Sequence, residues 1–441
     1  MSELDNTDRI VALIDKPKKI PSLKIAMIPL IAMAFFLFIG IFVLESEPQI
    51  PVLLSAIVAG IVAVYLGYSW KEIEAGITAG VALSIQALLI LIVLGTLIAT
   101  WLASGIVPTM IYYGLDILSP QWFLPLAVVI TSAVALTAGN AWAAAGTIGI
   151  AVMGVGIILG YNPAMVAGAV ISGAYFGDKI SPLSETTNMA SGILGVDLLE
   201  HIRYMLYTTI PSWVITVILF LILGMFYGGN AENVAEIAEL QAMMDEIFLI
   251  TPWLILVPIV VLGLIAMKVP AIPGLIIGAI LGGAVAIGVQ GETFKSVFDM
   301  MISGFEKETG NDIINELLNN GGIEAMMPTV ALVMLAMSLG GILELSGILS
   351  AIVRSLQRFA RSTGSLIATT AGSSIAANVI ACDQYLSILL PGRMYVQAYK
   401  DQGLEMKCLS RTIEDAGTIS SPLVPWNIFF QAEDSIRDQI W

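Results

Sequence analysis

Acidic side chains are rare within the long apolar stretches of this sequence, and three of them are placed where they could carry ions. Asp178 lies between the apolar residues 171–176 and a Ser-Pro break, Asp383 interrupts residues 368–390, and Glu344 is surrounded by apolar neighbours. A charged side chain at membrane depth costs about 2.5–3.5 kcal/mol or more, so such residues usually have a function. We therefore predict cation or proton binding at Asp178 and Asp383, and a proton carrier at Glu344.

Structural alternatives exist for each of these acids. Asp178 could pair with the adjacent Lys179, Asp383 could pair with Arg393, and Glu344 could act as a polar clamp between helices. Two further acids, Asp415 and Glu185, are candidates of the same kind. Asp415 could instead belong to a helix end on the cytoplasmic side, and Glu185 could cap the helix that restarts beside it.

Neutral oxygen-bearing side chains cluster where the apolar segments are interrupted. Residues 122–159 are broken near 137–140, and residues 366–390 are broken near 378–384. Two more breaks, 177–188 and 414–427, combine Gly and Pro with side-chain oxygens, a ligand set that suits a small hard cation such as Na⁺, and half-helix ends add favourable dipoles. The neutral ligand candidates are Asn140, Ser181, Thr186, Thr187, Asn188, Ser373, Ser374, Asn378, Thr418, Ser421 and Asn427.

The remaining chemistry-bearing residues exclude several classes of site. One histidine, His201, and two cysteines, Cys382 and Cys408, cannot build a His-rich metal site or a disulfide framework. No nucleophile stands beside a positioned base, so we expect no enzyme and no cofactor other than the transported ions. His201 is predicted to be a surface residue, with a pH sensor as the alternative.

The composition indicates how these residues are positioned. Of 441 residues, 57% are hydrophobic and 12% are charged, about half the charged fraction of an ordinary soluble domain. Uncharged stretches long enough to cross a hydrocarbon core of about 30 Å recur along the chain, so we predict an all-α polytopic membrane protein. The predicted spans are Ile25–Leu44, Pro51–Leu66, Val81–Ala103, Met205–Met225, Trp253–Met267 and Gly274–Val289.

The distribution of charge predicts the orientation. Lysines precede the first span and Lys71 lies in the second loop, whereas the loops 45–49 and 104–121 have no basic residue. Basic flanks remain on the cytoplasmic side, so we predict a cytoplasmic N-terminus in the plasma (inner) membrane. The segments 227–246 and 291–327 each carry a net charge of −5 and are predicted to be external loops.

Short matches at a spacing near 240 residues indicate an internal repeat. Residues 137–144 resemble 370–377 and residues 181–183 resemble 421–423. Opposite basic flanks indicate that the halves are inverted, with re-entrant hairpins and interrupted helices, as in many secondary transporters. The predicted organisation is a cytoplasmic tail at 1–24, a first repeat at 25–227, an acidic external loop at 228–250, and a second repeat at 251–441.

These motifs resemble the NhaC family of Na⁺/H⁺ antiporters, within the larger ion transporter superfamily. The resemblance implies exchange of Na⁺ for H⁺, although similar relatives exchange organic acids such as malate and lactate. By the repeat, a final span should follow Asn427, but the last residues are too polar, so the second repeat is expected to lack one helix. The resemblance rests on residues 173–188, 383–386, 390–394, 414–418 and 421–427.

We therefore predict a secondary active transporter that exchanges Na⁺ for H⁺ by alternating access, with Na⁺ bound at Asp178 and Asp383. An antiporter for organic acids of the malate or lactate type, coupled to Na⁺ or H⁺, is the alternative, and an ion channel is a weaker one. A carboxylate exchanger would hold its anion at the helix N-termini after Asn140 and Ser374. The expected partners are membrane lipid, a small ion or small organic anion, and a second copy in a possible homodimer, with no nucleic acid.

Overall fold

The described part of the chain is helical throughout. A computed structural model describes residues 18, 20–117, 119–227, 234–267, 269–311, 315 and 318–427. Within those residues the β-structure is limited to an isolated bridge between Phe305 and Asn320. Eight helices there are long and apolar enough to cross a membrane, or nine if a bent pair near residue 250 is counted as one span. The prediction of an all-α polytopic membrane protein is confirmed.

Eighteen helices of the described residues are numbered in chain order. They are α1 (Leu23–Leu37), α2 (Gln49–Tyr65), α3 (Trp70–Ala103), α4 (Ile106–Ile117), α5 (Pro120–Ala138), α6 (Ala141–Ile158), α7 (Pro163–Lys179), α8 (Glu185–Leu194), α9 (Leu198–Tyr227), α10 (Val234–Ile247), α11 (Leu256–Ala266), α12 (Ala271–Gly288), α13 (Phe294–Ser303), α14 (Ile323–Leu345), α15 (Ile348–Gln357), α16 (Thr363–Ala381), α17 (Gln384–Asp401) and α18 (Met406–Ser420). A π-helical turn lies within α6, and short π-helical or 3₁₀ turns adjoin α1, α11 and α18.

Every predicted span falls largely on one of these helices, and the main difference is at the start of α3. This helix begins at Trp70, eleven residues before the predicted span, because Ser69 and Glu72 form a capping box. The Ser69 amide donates to Glu72 Oε2 at 2.9 Å, and the Glu72 amide donates to Ser69 Oγ at 3.4 Å. Such a cap satisfies amides that have no partner inside the helix.

The two acidic segments predicted as loops each contain a helix. Helix α10 lies within 227–246, apart from its last residue, and α13 lies within 291–327. Thr293 caps α13, since its hydroxyl oxygen accepts a hydrogen bond from the Ser296 amide at 3.1 Å. In α10 the buried Leu240 and Met244 are four residues apart on one face, which is the spacing of an amphipathic helix.

The chain divides into two compact units by contact. Of the described residues, one unit comprises 18, 20–88, 186–204 and 328–427, and its centre is the packing of α16, α17 and α18 against one another. In the same unit α3 and α14 approach closely, because a Cβ atom at Gly80 would lie 2.2 Å from the Met337 carbonyl oxygen. Small residues allow this backbone approach between membrane helices.

The other unit comprises the described residues within 89–185 and 205–327, and its most extensive helix contact joins α5 and α7. A Cβ atom at Gly173 would lie 2.0 Å from Thr131 Oγ1, so no larger residue fits there without movement. Trp213 packs on the outside of this pair, with its indole nitrogen donating to Ser132 Oγ at 3.0 Å and its ring stacked on Phe176.

Candidate functional site

The first helix break lies between α5 and α6. Helix α5 ends at Ala138, and Gly139 adopts the left-handed conformation with φ 63° and ψ 25°. Asn140 returns the chain to an extended conformation and begins α6, its side-chain oxygen accepting a hydrogen bond from the Ala143 amide at 3.0 Å. The break is therefore a left-handed residue followed by a polar N-cap.

The second break lies between α16 and α17 and has the same construction. Helix α16 ends at Ala381, and Cys382 is left-handed with φ 59° and ψ 21°. Asp383 is extended and begins α17, its Oδ2 accepting a hydrogen bond from the Leu386 amide at 2.9 Å. The predicted interruption of both apolar segments is confirmed at these two points.

The two breaks correspond at a spacing of 243 residues, so Asp383 occupies the position that Asn140 occupies in the first break. The sequence match at 137–144 paired Asn140 with Ser373 instead. Ser373 lies ten residues before Asp383 on α16, about 15 Å along the helix axis. Its hydroxyl contacts the Tyr395 hydroxyl at 2.8 Å rather than lying at the break.

Asp178 lies next to the first break. It is buried near the end of α7, and its carboxylate accepts hydrogen bonds from the Ala141 amide and the Ser184 hydroxyl. Its Oδ1 atom has no hydrogen-bond partner among the described residues. Asp178 and Asn140 thus both lie against the first turn of α6, where amides and the helix dipole favour negative charge.

The predicted residues that follow Asp178 differ in exposure. Ser181 is fully buried, and its hydroxyl oxygen accepts from the Leu183 amide at 3.2 Å. Glu185 is half-buried where α8 begins, and on that helix Thr186 and Thr187 are buried whereas Asn188 is exposed.

Asp383 is the more deeply buried of the two aspartates at the breaks. It is 0% exposed, and its Oδ2 accepts a hydrogen bond from the Leu386 amide at 2.9 Å, with the amides of Gln384 and Tyr385 beside the carboxylate. All three amides belong to the first turn of α17. The Oδ1 atom makes no hydrogen bond to any described residue that meets ordinary geometric limits, so it keeps the capacity to bind a cation or a proton.

Asn378 holds α16 against the end of α18. Its amide nitrogen donates to the Gly417 carbonyl oxygen at 2.5 Å and to Ser420 Oγ at 2.7 Å. Its carbonyl oxygen accepts from the Asn427 amide at 3.2 Å. The Trp426 indole adds a bond to the Val379 carbonyl oxygen at 2.8 Å. The predicted candidates Asn378 and Asn427 are therefore joined directly to each other.

A second set of buried polar groups connects α18 with the start of α17. Thr418 Oγ1 donates to Glu414 Oε1 at 2.9 Å, and Ser421 Oγ lies 2.7 Å from the Thr418 carbonyl oxygen. The Ser421 hydroxyl also lies 3.1 Å from Gln384 Oε1. All four side chains are nearly or fully buried. Thr418 and Ser421 were predicted, whereas Gln384 and Glu414 were missed.

The sequence did contain a signal for Glu414. Glu414 and Asp415 are adjacent, and residues 409, 410, 413, 414, 417 and 418 recur at the spacing of one buried helix face. Asp415 lies off that face, half-buried and 4.0 Å from Arg411, whereas Glu414 is 0% exposed. Glu414, which was not predicted as a site residue, is therefore the buried acid, whereas the predicted Asp415 is only half-buried.

Three further predictions concern Glu344, Ser374 and His201. Glu344 is half-buried near the end of α14. Ser374 is fully buried on α16, and its hydroxyl has no hydrogen-bond partner among the described residues. The predicted surface position of His201 is wrong, because this side chain is 0% exposed and its Nδ1 lies 2.9 Å from Ser410 Oγ. The region after Asn427, where a shortened second repeat was predicted, lies outside the described residues.

Each break thus combines one buried aspartate with neutral oxygens and a helix N-terminus. A buried carboxylate that has no ion-pair partner favours binding of a small cation or a proton. Either one neutralises a negative charge that is poorly solvated in the interior. This geometry therefore favours the binding of small ions over covalent chemistry.

Comparison with known proteins gives a consistent result. The sequence profile of the Na⁺/H⁺ antiporter family matches residues 173–428, which include Asp178 and the whole second break. The Na⁺/H⁺ antiporter NhaC of Alkalihalophilus pseudofirmus is 43% identical over 393 residues, covering 88% of this chain and 84% of the relative. The malate-2H⁺/Na⁺-lactate antiporter of Bacillus subtilis is 37% identical, covering 87% and 82%. The arginine/ornithine antiporter ArcD of Halobacterium salinarum is 37% identical, covering 93% and 85%.

Proposed function

This chain belongs to the Na⁺/H⁺ antiporter family, and we propose that it exchanges Na⁺ for H⁺ across the plasma membrane, with Asp383 and Asp178 as the ion-carrying groups. The assignment of an ion-carrying role to Asp383 rests on one observation. Asp383 is completely buried at a helix break and retains a carboxylate oxygen that no described residue bonds. Such an oxygen needs a mobile positive charge, and Na⁺ and H⁺ can supply it in turn.

Competition between the two ions explains coupling. A single desolvated carboxylate cannot hold a cation and a proton together, so binding of one releases the other. Na⁺ also needs several neutral oxygen ligands. Thr418, Ser421 and the carbonyl groups at the break can provide them in the unit that contains Asp383. Asn140 and Ser181 have the same role beside Asp178.

We propose that the two breaks belong to inverted repeats that move by alternating access. The supporting observation is the order of elements: a long helix, a short helix and a helix that ends in a left-handed residue precede Asn140, and the same order precedes Asp383. In related architectures, interrupted helices of this kind carry the site and rock against the remaining helices.

Everted membrane vesicles with a fluorescent pH indicator test this function. Respiration acidifies the vesicle interior and quenches the dye, and addition of Na⁺ is expected to restore fluorescence as protons leave in exchange. Asp178→Asn should abolish this response at an unchanged expression level. Persistence of the full Na⁺ response in Asp178→Asn would remove that residue from the exchange site.

An organic-acid exchanger is the second candidate, and one observation favours it. Lys179 is only 2% exposed, and a buried ammonium group next to Asp178 could face a carboxylate substrate. Against it, the described arginines are exposed or half-buried, so no bidentate clamp for a carboxylate is present in that part of the chain. Uptake of radiolabelled malate or lactate into proteoliposomes decides between the two functions, and we expect none above protein-free liposomes.

A further inference from the structure

One face of α17 is buried along most of its length and carries three hydroxyl side chains. Starting from Asp383, every fourth residue is buried: Ser387, Pro391, Tyr395 and Tyr399. These positions lie on one side of a helix and extend about 24 Å along it, most of the thickness of a hydrocarbon core. A continuous row of this kind is not explained by the ion-binding break alone.

The tyrosine hydroxyls lie among hydroxyl-bearing side chains of the adjacent helices. The Tyr395 hydroxyl contacts Ser373 Oγ at 2.8 Å and the Thr369 carbonyl oxygen at 3.2 Å, both on α16. The Tyr399 hydroxyl lies near Thr370 on α16 and Thr412 on α18, without a hydrogen bond of ordinary geometry to any described residue. Both tyrosines are 0% exposed, so these contacts are shielded from solvent.

The middle of the row has polar groups with unused capacity. Pro391 has no amide hydrogen, so it cannot bond the Ser387 carbonyl oxygen one turn earlier. On α16, Ser374 is the hydroxyl between Asn378 and Ser373, and it is buried without a hydrogen-bond partner among the described residues.

The row ends at the surface. Asp401 and Lys400, at the end of α17, are exposed. Helix α16 begins just after Arg354, Arg358 and Arg361, and its start lies at the same end of the helix pair because the two helices are joined by a short break at the other end. Basic flanks favour the cytoplasmic side, so this end is the cytoplasmic one in the predicted orientation.

We propose that Tyr395 and Tyr399 relay protons between Asp383 and the cytoplasmic end of α17, separately from the path taken by Na⁺. The protonated Asp383 carboxyl gives its proton to a water molecule, which passes a proton on to the nearest hydroxyl of the row. Each hydroxyl accepts one proton and passes on its own, so no group keeps a charge, and one proton leaves near Asp401. Rotation of the hydroxyls restores the starting arrangement. This inference depends on the proposed Na⁺/H⁺ exchange.

The test compares two fluxes in proteoliposomes that contain purified protein. Exchange of ²²Na⁺ for unlabelled Na⁺ at equal pH needs no proton movement, whereas Na⁺/H⁺ exchange does. We expect Tyr399→Phe and Tyr395→Phe to slow Na⁺/H⁺ exchange at least about a hundredfold, the lower end of the usual contribution of a positioned proton-transfer group. Na⁺/Na⁺ exchange should be unchanged, because phenylalanine preserves the packing.

Tyr65→Phe is the matched control, because Tyr65 is 77% exposed on α2, and both of its fluxes should equal those of the parent. Ser373→Ala should reproduce the selective loss, since it removes the partner of Tyr395. The relay is overturned if both fluxes fall together in the tyrosine variants, which would indicate a structural role, or if neither falls. Absence of both fluxes in the parent would instead refute the proposed exchange.

Discussion

Gly177 lies so close to α5 that a Cβ atom added to it would stand 2.1 Å from the Ser132 carbonyl oxygen. This contact and the similar one at Gly173 set the distance between α5 and α7. Because Asp178 is the next residue, the same contact determines where its carboxylate lies relative to the start of α6. Helix packing and the position of the Asp178 carboxylate are thus linked through one glycine.

Gly177→Ala is expected to lower stability by about 1–3 kcal/mol, because the added methyl group collides with backbone rather than with a movable side chain. Gly168→Ala on the same helix is the control. A Cβ there would have its nearest contact at 3.7 Å, so the substitution should be neutral or stabilising by up to about 1 kcal/mol. Thermal unfolding of the purified proteins in detergent measures both, and equal melting temperatures for the two variants would contradict the packing argument.

Asp383→Asn is expected to abolish Na⁺/H⁺ exchange while the fold is retained. Asparagine accepts the same capping bond, as Asn140 does from the Ala143 amide, so only the charge is lost. Asp197→Asn is the matched control, since Asp197 caps the Glu200 amide at 3.0 Å on an exposed helix start. The dye assay in everted vesicles reports the activity and the melting temperature reports the fold. Exchange at the parental rate in Asp383→Asn would show that this carboxylate carries no ion.

Cys382→Gly is expected to be more stable than Cys382→Ala by about 1 kcal/mol. Both substitutions remove the same buried thiol, but only glycine relieves the left-handed conformation at φ 59°, which costs other residues about 1–2 kcal/mol. Gly139 already shows that glycine suits this position in the first break. Chemical or thermal unfolding of the two variants measures the difference, and a more stable alanine variant would argue against backbone strain at Cys382.

Site-directed labelling tests the orientation. In a parent with Cys382→Gly and Cys408→Ser, a single cysteine at Glu306 should react with a membrane-impermeant maleimide on intact cells. A cysteine at Lys71 should react only after the cells are opened, because basic loops remain cytoplasmic. Both positions are exposed, so burial does not prevent either reaction. Labelling of the Lys71 position from outside would reverse the proposed topology.

The sequence predicted the structure best where hydrophobicity or a single polar residue determines the secondary structure. Long apolar runs identify membrane helices without knowledge of their neighbours, and the interruptions at Gly139 and Asp383 follow from residue types that disfavour continued helix. The start of α3 and the acidic helix α13 were missed, because capping boxes and amphipathic faces are short signals that charge can obscure.

Side-chain orientation was the harder part. Glu414 and Asp415 are adjacent acids, and only the register of α18 decides that Glu414 lies inside. His201 is surrounded in sequence by charged residues, yet its ring is buried against Ser410. The match between 137–144 and 370–377 is a resemblance of small residues and pairs Asn140 with Ser373. Backbone conformation instead pairs Asn140 with Asp383, ten residues after Ser373.

The difference between Asn140 and Asp383 has a consequence for the proposed transport cycle, in which Asp383 takes up and releases a proton. An aspartic acid that has taken up a proton is nearly identical in shape and neutral charge to asparagine. Asn140 therefore gives the first break the permanent form that Asp383 adopts only when it holds a proton. In the proton-loaded protein the caps of both breaks are chemically alike, and release of that proton makes them different.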